Sequence, residues 1–287
     1  MAMFDVFKKN RLSLSQPIEV GTVSWLRELD DAKAQAASEG KPIFALFQEV
    51  PGCHGCKQFG SEVLSHPVIV DAIEEAFVPL LIHNNSGGRD AEVLAMYGEP
   101  AWNYQVVRFL DSAGADIIQR RDRVWDAGPL AARMIRTLEA ADRPIPRYLR
   151  LLEQELSDRL DVIHLVQGCF WVGEMEIGQI EGVVMTEAGF LSGHEITSAW
   201  FDPLEISAGE VVAQARARGV ASKVFTDDEA GKRRVAPLRD QKRQLGSKLN
   251  LRGLSVAQRT KLNAFIRQSR DEALSYIAPS SRNELRF

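Results

Sequence analysis

An α/β chain is predicted here: a mixed sheet flanked by helices, then a second region of α+β character. Three observations carry the prediction. Short all-apolar runs alternate with helical patterns in the first half, two close prolines interrupt the middle, and strand and helix patterns restart beyond them. A chain of 287 residues is long enough for two cores. The expected division is an N-terminal extension over 1–16, a first domain over 17–142, a linker over 143–149 and a second domain over 150–287.

In the first half, Ser24 to Glu39 is helix-like, with Trp25, Leu26, Leu29 and Ala32 on one face. Ile43-Phe44-Ala45-Leu46-Phe47 is apolar on both faces, as in a strand covered on each side. Pro51-Gly52 breaks it, and helical spacing resumes from Cys53 through Phe59, Val63 and Leu64. Pro67 to Phe77 reads as a further helix, with proline where a missing N–H does no harm. Val78 to Ile82 and Val106 to Leu110 read as buried strands, with a short helix over Asp90 to Tyr97 between them. Asp111-Ser112-Ala113-Gly114 is a turn into a hairpin partner at Asp116 to Gln119, and Pro129 to Ala140 closes the domain as a helix.

Arg143-Pro144-Ile145-Pro146 discourages helix continuation and is the expected linker. Beyond it come a helix from Tyr148 to Arg159 and a strand from Val162 to Gln167. An amphipathic segment then runs to Ile180, with strands over Gly182 to Phe190 and Glu195 to Phe201. Ser207 caps a helix reaching Arg218, and Ser255 to Arg270 forms another.

Lys and Arg total 35 against 39 Asp and Glu, a net charge of -4 that makes no electrostatic case for nucleic acid. No unbroken apolar stretch reaches the roughly 20 residues of a membrane span. Met1 to Leu14 carries Lys8, Lys9 and Arg11 without the apolar centre of a signal peptide. The expected setting is cytoplasmic, where paired cysteines serve redox or metal chemistry more often than cross-linking. No cofactor is expected.

The chain has three cysteines. Cys53 and Cys56 sit three apart at the start of a helical pattern, side by side on one face. At a helix start, unpaired N–H groups and the helix dipole favour a thiolate at Cys53, while the more shielded Cys56 is placed to attack a mixed disulfide formed there. His54 could add positive charge. The competing reading is a metal site using Cys53, His54 and Cys56. A structural zinc wants four ligands, and the sequence offers only a third cysteine and five scattered histidines, so no resident metal is expected.

Glu39-Gly40-Lys41-Pro42-Ile43-Phe44, Cys53-His54-Gly55-Cys56 and Phe109-Leu110-Asp111-Ser112-Ala113-Gly114 occur in that order. Together, over about residues 17–142, they resemble the thioredoxin-like superfamily. The resemblance implies a dithiol oxidoreductase domain. That superfamily places a proline just before the strand facing the cysteines; counting back from Phe109 puts Gln105 there, a groove residue able to offer hydrogen bonds instead.

Cys169 stands in Gly168-Cys169-Phe170-Trp171 at a strand end. On these residues alone, a buried structural thiol and a reactive one beside an aromatic wall are equally open. The tetrapeptide is followed by Glu174, Glu181-Gly182-Val183, Glu187-Ala188-Gly189-Phe190, Ser192-Gly193-His194 and Phe201-Asp202-Pro203. This series, over about residues 161–218, resembles peptide methionine sulfoxide reductase A. The resemblance implies Cys169 as nucleophile on an oxidised sulfur substrate, free or protein-bound methionine sulfoxide. It further implies Phe170 and Trp171 as the wall for the substrate methyl group, and Glu195 as the acid that protonates the sulfoxide oxygen. A buried carboxyl with a raised pKa suits that task. Phe190 stands where the family has a tyrosine, and the family's second tyrosine and resolving cysteines have no counterpart.

A second thiol must then reduce oxidised Cys169, and Cys53 could supply it before Cys56 releases the mixed disulfide. An external thiol or dithiol would reload the pair. Two alternatives stay open: a thiol–disulfide reductase whose second domain only binds a client, and a redox-sensing or metal-binding module. The basic stretch containing Lys232, Arg233, Arg234, Arg239, Lys242, Arg243, Lys248 and Arg252 is either a solvated face or a source of an arginine over the Cys169 site.

Overall fold

The apolar run Ile43–Gln48 is buried along its whole length and becomes β1, the central strand of a three-stranded sheet. It pairs in parallel with β2 (Val78–His83) and antiparallel with β3 (Gln105–Leu110). Parallel neighbours need a crossover, and here the chain passes through α2 (His54–Gln58), a π-helical turn (Phe59–Val63) and α3 (Pro67–Ala76). The computed structural model describes residues 16–102, 105–226, 233–246, 253–283 and 285. Most of the expected N-terminal extension lies outside the described residues, as do Lys232, Lys248 and Arg252 of the basic stretch.

The described chain divides into two compact units. One holds residues up to His66 together with Phe77–Asp126; the other holds Pro67–Ala76 and Ala127 onward. In the first unit, alternation along β1 separates two packing faces. Ile43, Ala45 and Phe47 join Val78, Leu80, Ile82, Val106 and Leu110 in a cluster with α1 (Leu29–Glu39) and α4 (Arg89–Tyr97). Phe44 points the other way, its ring edge-on to Phe109 at 5.4 Å.

Two expected elements change. The helix over 24–39 begins only at Leu29, because Leu26 donates its N–H to Pro79 and accepts from Leu81, forming a bridge beside β2. The hairpin partner at 116–119 reduces to a single bridge, Leu110 to Asp116. Side chains hold this segment instead: Asp116 pairs with Arg108, and Arg120 with the buried Glu99.

In the second unit, α5 (Ala127–Ala140) is followed closely by α6 (Arg147–Glu155), with Pro146 at its N-cap. Residues 147–149 of the expected linker are therefore helical. The expected boundary after residue 142 falls between α5 and α6, within this unit. Hydrogen bonds explain why α3 is grouped here: the Tyr148 hydroxyl donates to Glu75, and the Ser280 N–H donates to Asp71 at 2.7 Å.

The second sheet is antiparallel, in the order β7-β4-β6-β5-β8. Its strands are β4 (Asp161–Val166), β5 (Val183–Leu191), β6 (His194–Phe201), β7 (Lys223–Thr226) and β8 (Arg234–Val235). With α7 (Phe170–Gly178) after β4 and α8 (Ala208–Ala217) after β6, the chain forms a split β-α-β unit. Leu165, Ile177, Val183, Ala199, Phe201 and Val211 fill its core. Ser207 and Glu210 form the N-terminal capping box of α8, and Ser255 caps α9 (Val256–Phe265) in the same way. Among the described residues, no helix is long and apolar enough to cross a membrane.

Candidate functional site

Cys53 is the N-cap residue of α2 and is exposed, while Cys56, one turn on, is 0% exposed. Their sulfurs lie 3.5 Å apart. This asymmetry suits stepwise exchange: the accessible thiol meets a substrate, and the shielded one is within reach to displace it. Burial, with the Cys53 thiol and the Glu49 carboxylate beside it, pushes the Cys56 thiol up to about 12.

Several backbone and side-chain contacts set this loop. Gln48, at the end of β1, donates to the carbonyls of Glu19 and Cys56 at 2.7 and 3.2 Å. The buried Glu19 carboxylate accepts from the Gly52 N–H at 2.9 Å, just before Cys53. Glu19 can sit there because Gly60 lies against the backbone of Ile18 and Glu19, where a Cβ would collide with both. The Val50–Pro51 peptide is cis.

Gln105 opens β3 opposite Gln48 and is buried. Its Oε1 lies 3.8 Å from the Cys56 sulfur, so the expected groove residue does face the dithiol. Glu49 was not singled out by sequence, yet its Oε2 lies 3.9 Å from the Cys56 sulfur. Glu49, Cys53 and Cys56 place their donor atoms within 4.8 Å of one another, a set of three that could hold a metal ion. His54 is outside that set and is exposed, on the first turn of α2. The only hint of Glu49 in the sequence was its place between a buried strand and the Pro51-Gly52 break.

Residues 24–111 match a family model described as thioredoxin-like. These residues are a thioredoxin-like domain. A solved structure titled "DsbH Oxidoreductase" is similar at 17% identity, covering 46% of this chain and 94% of that one, with a TM-score of 0.35. No curated protein matches the chain. The family match ends at residue 111, so the thioredoxin-like domain is all that it covers.

In the second unit, Cys169 is the half-buried N-cap residue of α7. The Phe170 N–H donates to Glu195 Oε2 at 2.9 Å, which holds the carboxylate at the helix start beside Cys169. Glu195 is half-buried, less enclosed than expected, because it lies one residue from the Ser192-Gly193 turn. Both turn residues have positive φ, 52° and 81°, the backbone of a tight two-residue hairpin. That hairpin sets Phe190 directly opposite Glu195. The Phe170 ring is edge-on to Phe190 at 5.4 Å and to Trp171 at 6.0 Å. The structure thus brings Cys169, Phe170, Trp171, Phe190 and Glu195 into one neighbourhood.

The basic stretch reaches the same place. Residues 233–246 are pinned to β5 and α7: Gln241 exchanges hydrogen bonds with both backbone groups of Ala188, and the buried Lys242 pairs with the buried Glu174 and donates to the Thr186 carbonyl. Arg234 lies 4.5 Å from the Phe190 ring centre and Arg243 lies 4.9 Å from that of Trp171.

Proposed function

We propose that the protein is a thiol oxidoreductase with two working sites. In the thioredoxin-like domain, Cys53 attacks a disulfide and Cys56 releases the product, leaving a Cys53–Cys56 disulfide that an external thiol or dithiol reduces. The observation that carries this is the exposed and buried pair of sulfurs at 3.5 Å.

In the second unit, Cys169 reduces an oxidised sulfur compound of the methionine sulfoxide class, as its resemblance to methionine sulfoxide reductase A implies. The Cys169 sulfur attacks the sulfoxide sulfur while Glu195 protonates the oxygen. The oxygen ends on Cys169 as a sulfenic acid, and the substrate leaves as a thioether, reduced by two electrons. A thiol then attacks the sulfenic sulfur, expelling water and forming a mixed disulfide that a second thiol resolves. Cys53 and Cys56 are suited to supply both thiols. The support here is the Glu195 carboxylate held on the Phe170 N–H beside Cys169. A cytoplasmic setting would keep the dithiol reduced.

The test is a Cys56→Ser variant treated with methionine sulfoxide. A trapped Cys53–Cys169 disulfide, mapped by mass spectrometry, is expected. Sulfoxide-dependent oxidation of Cys169 without that adduct would remove the relay but keep the second site. No oxidation of Cys169 at all would leave only the disulfide reductase.

A further inference from the structure

Three cross-strand neighbours line up across the second sheet. Arg234 on β8 pairs with Phe190 on β5, and Phe190 pairs with Glu195 on β6. Direct partners in an antiparallel ladder project to the same face. That face therefore carries a cation, an aromatic ring and a carboxylate in sequence, with the start of α7 and Cys169 joined to it through the Phe170–Glu195 hydrogen bond and the Phe170–Phe190 contact. Arg243 adds a second guanidinium over Trp171. Both arginines are exposed, and among the described residues neither pairs with a carboxylate. The other cations of this segment behave differently: Arg233 is paired with Glu187, Arg239 with Asp240, and Lys242 with Glu174. The Trp171 indole N–H is buried with no hydrogen-bond partner among the described residues, a further donor without an acceptor.

We infer that the Cys169 site takes an anionic substrate: a sulfoxide bearing a carboxylate, which Arg234 and Arg243 receive while the methyl group meets Phe170 and Trp171. The inference rests on the sulfoxide reading of Cys169 and names its substrate class. Guanidinium groups bind carboxylates through paired N–H donors, and one laid over an aromatic ring is held with its edge open to a ligand. The pinned segment makes the two arginines part of the fold rather than of a free tail. Gln241 and Lys242 stand between them in sequence and tie the chain to Ala188, Glu174 and Thr186. Charge selection also compensates for the missing family hydroxyls, because substrate can be oriented from its carboxylate as well as from its sulfoxide oxygen.

Two measurements separate this inference from the reading beneath it. The first uses full-length protein with Cys53→Ser and Cys56→Ser, so that Cys169 is the only thiol, and compares alkylation by anionic iodoacetate with that by neutral iodoacetamide. Replacing both arginines (Arg234→Gln with Arg243→Gln) should lower the iodoacetate-to-iodoacetamide rate ratio about tenfold, as should high salt. An unchanged ratio overturns the inference whether or not sulfoxides are substrates. The second compares N-acetylmethionine sulfoxide with its methyl ester, using the full protein and an external dithiol. The acid should be preferred about tenfold in kcat/KM, with the preference collapsing in the double arginine variant. Equal use of acid and ester overturns the inference and keeps the sulfoxide reading. No turnover of either, with a ratio that still falls in the first measurement, overturns the sulfoxide as the anion's bearer and leaves the anion preference standing.

Discussion

Glu195 accepts a hydrogen bond from the N–H of Phe170 at 2.9 Å, one residue beyond Cys169. The contact can survive replacement of the acid by its amide, since the amide oxygen accepts equally well, but an amide cannot serve as the proton donor proposed for this site. Glu195→Gln is therefore expected to slow sulfoxide-dependent oxidation of Cys169 by about 10²–10⁴-fold. Alkylation of Cys169 by iodoacetamide should continue. Peptide mapping of both reactions checks this, and equal losses in the two would assign Glu195 a structural role only.

The second prediction concerns the dithiol. Cys53 should alkylate first in the native protein, with Cys56 protected until denaturant is added. Because burial and the Glu49 charge hold the Cys56 thiol up, Glu49→Gln should move its titration downward. The folded value lies above the ordinary 9.0, so the stability linked to this proton is complete below that pH and is lost as pH rises towards about 12. Thiolate absorbance and urea midpoints across that window, with Cys56→Ala as reference, would show it.

A third prediction is structural. Asp202 is 1% exposed and accepts from Arg159, which also pairs with Glu153. Burial alone would raise the Asp202 carboxyl; the Arg159 and Leu204 N–H donors outweigh it and hold the group below its usual value. Its contribution is thus present above the ordinary carboxylate range and lost as pH falls through the lowered value. Arg159→Met should cost about 2–3 kcal/mol, less than a fully buried pair because Arg159 is partly exposed. Urea unfolding at neutral pH measures it, and Asp202→Asn should flatten the acid limb.

Gly60→Ala is the fourth. The added Cβ would strike the Ile18 and Glu19 backbone, displacing the carboxylate that holds the Gly52 N–H before Cys53. A loss of about 1–3 kcal/mol is expected from overpacking. Disulfide reduction should slow with it. Normal stability with normal turnover would show that Glu19 does not position the cysteine loop.

Much of this architecture was legible because strong local signals carried it. The all-apolar run at 43–47, short and bounded by Pro42 and Pro51-Gly52, fitted a covered strand, and Pro67, Ser207 and Ser255 marked helix starts that the structure keeps. The structure departs from the sequence pattern where distant partners override the local signal. Leu26 has helical spacing but binds its backbone to β2, and the strand pattern at 116–119 gives way to the Arg108 and Arg120 ion pairs.

By itself the sequence determined the three cysteines, the spacing that pairs two of them, and the motifs that implied a dithiol domain and a separate thiol site. Those are properties of neighbours along the chain, set by helical and strand periodicity. Tertiary structure alone decided that Glu49 stands beside the buried thiol and that Phe190, Glu195 and Arg234 share one row, and it carried the shielding expected of Cys56 to complete burial. Burial depends on everything packed around a residue, and strand register joins positions far apart in the chain.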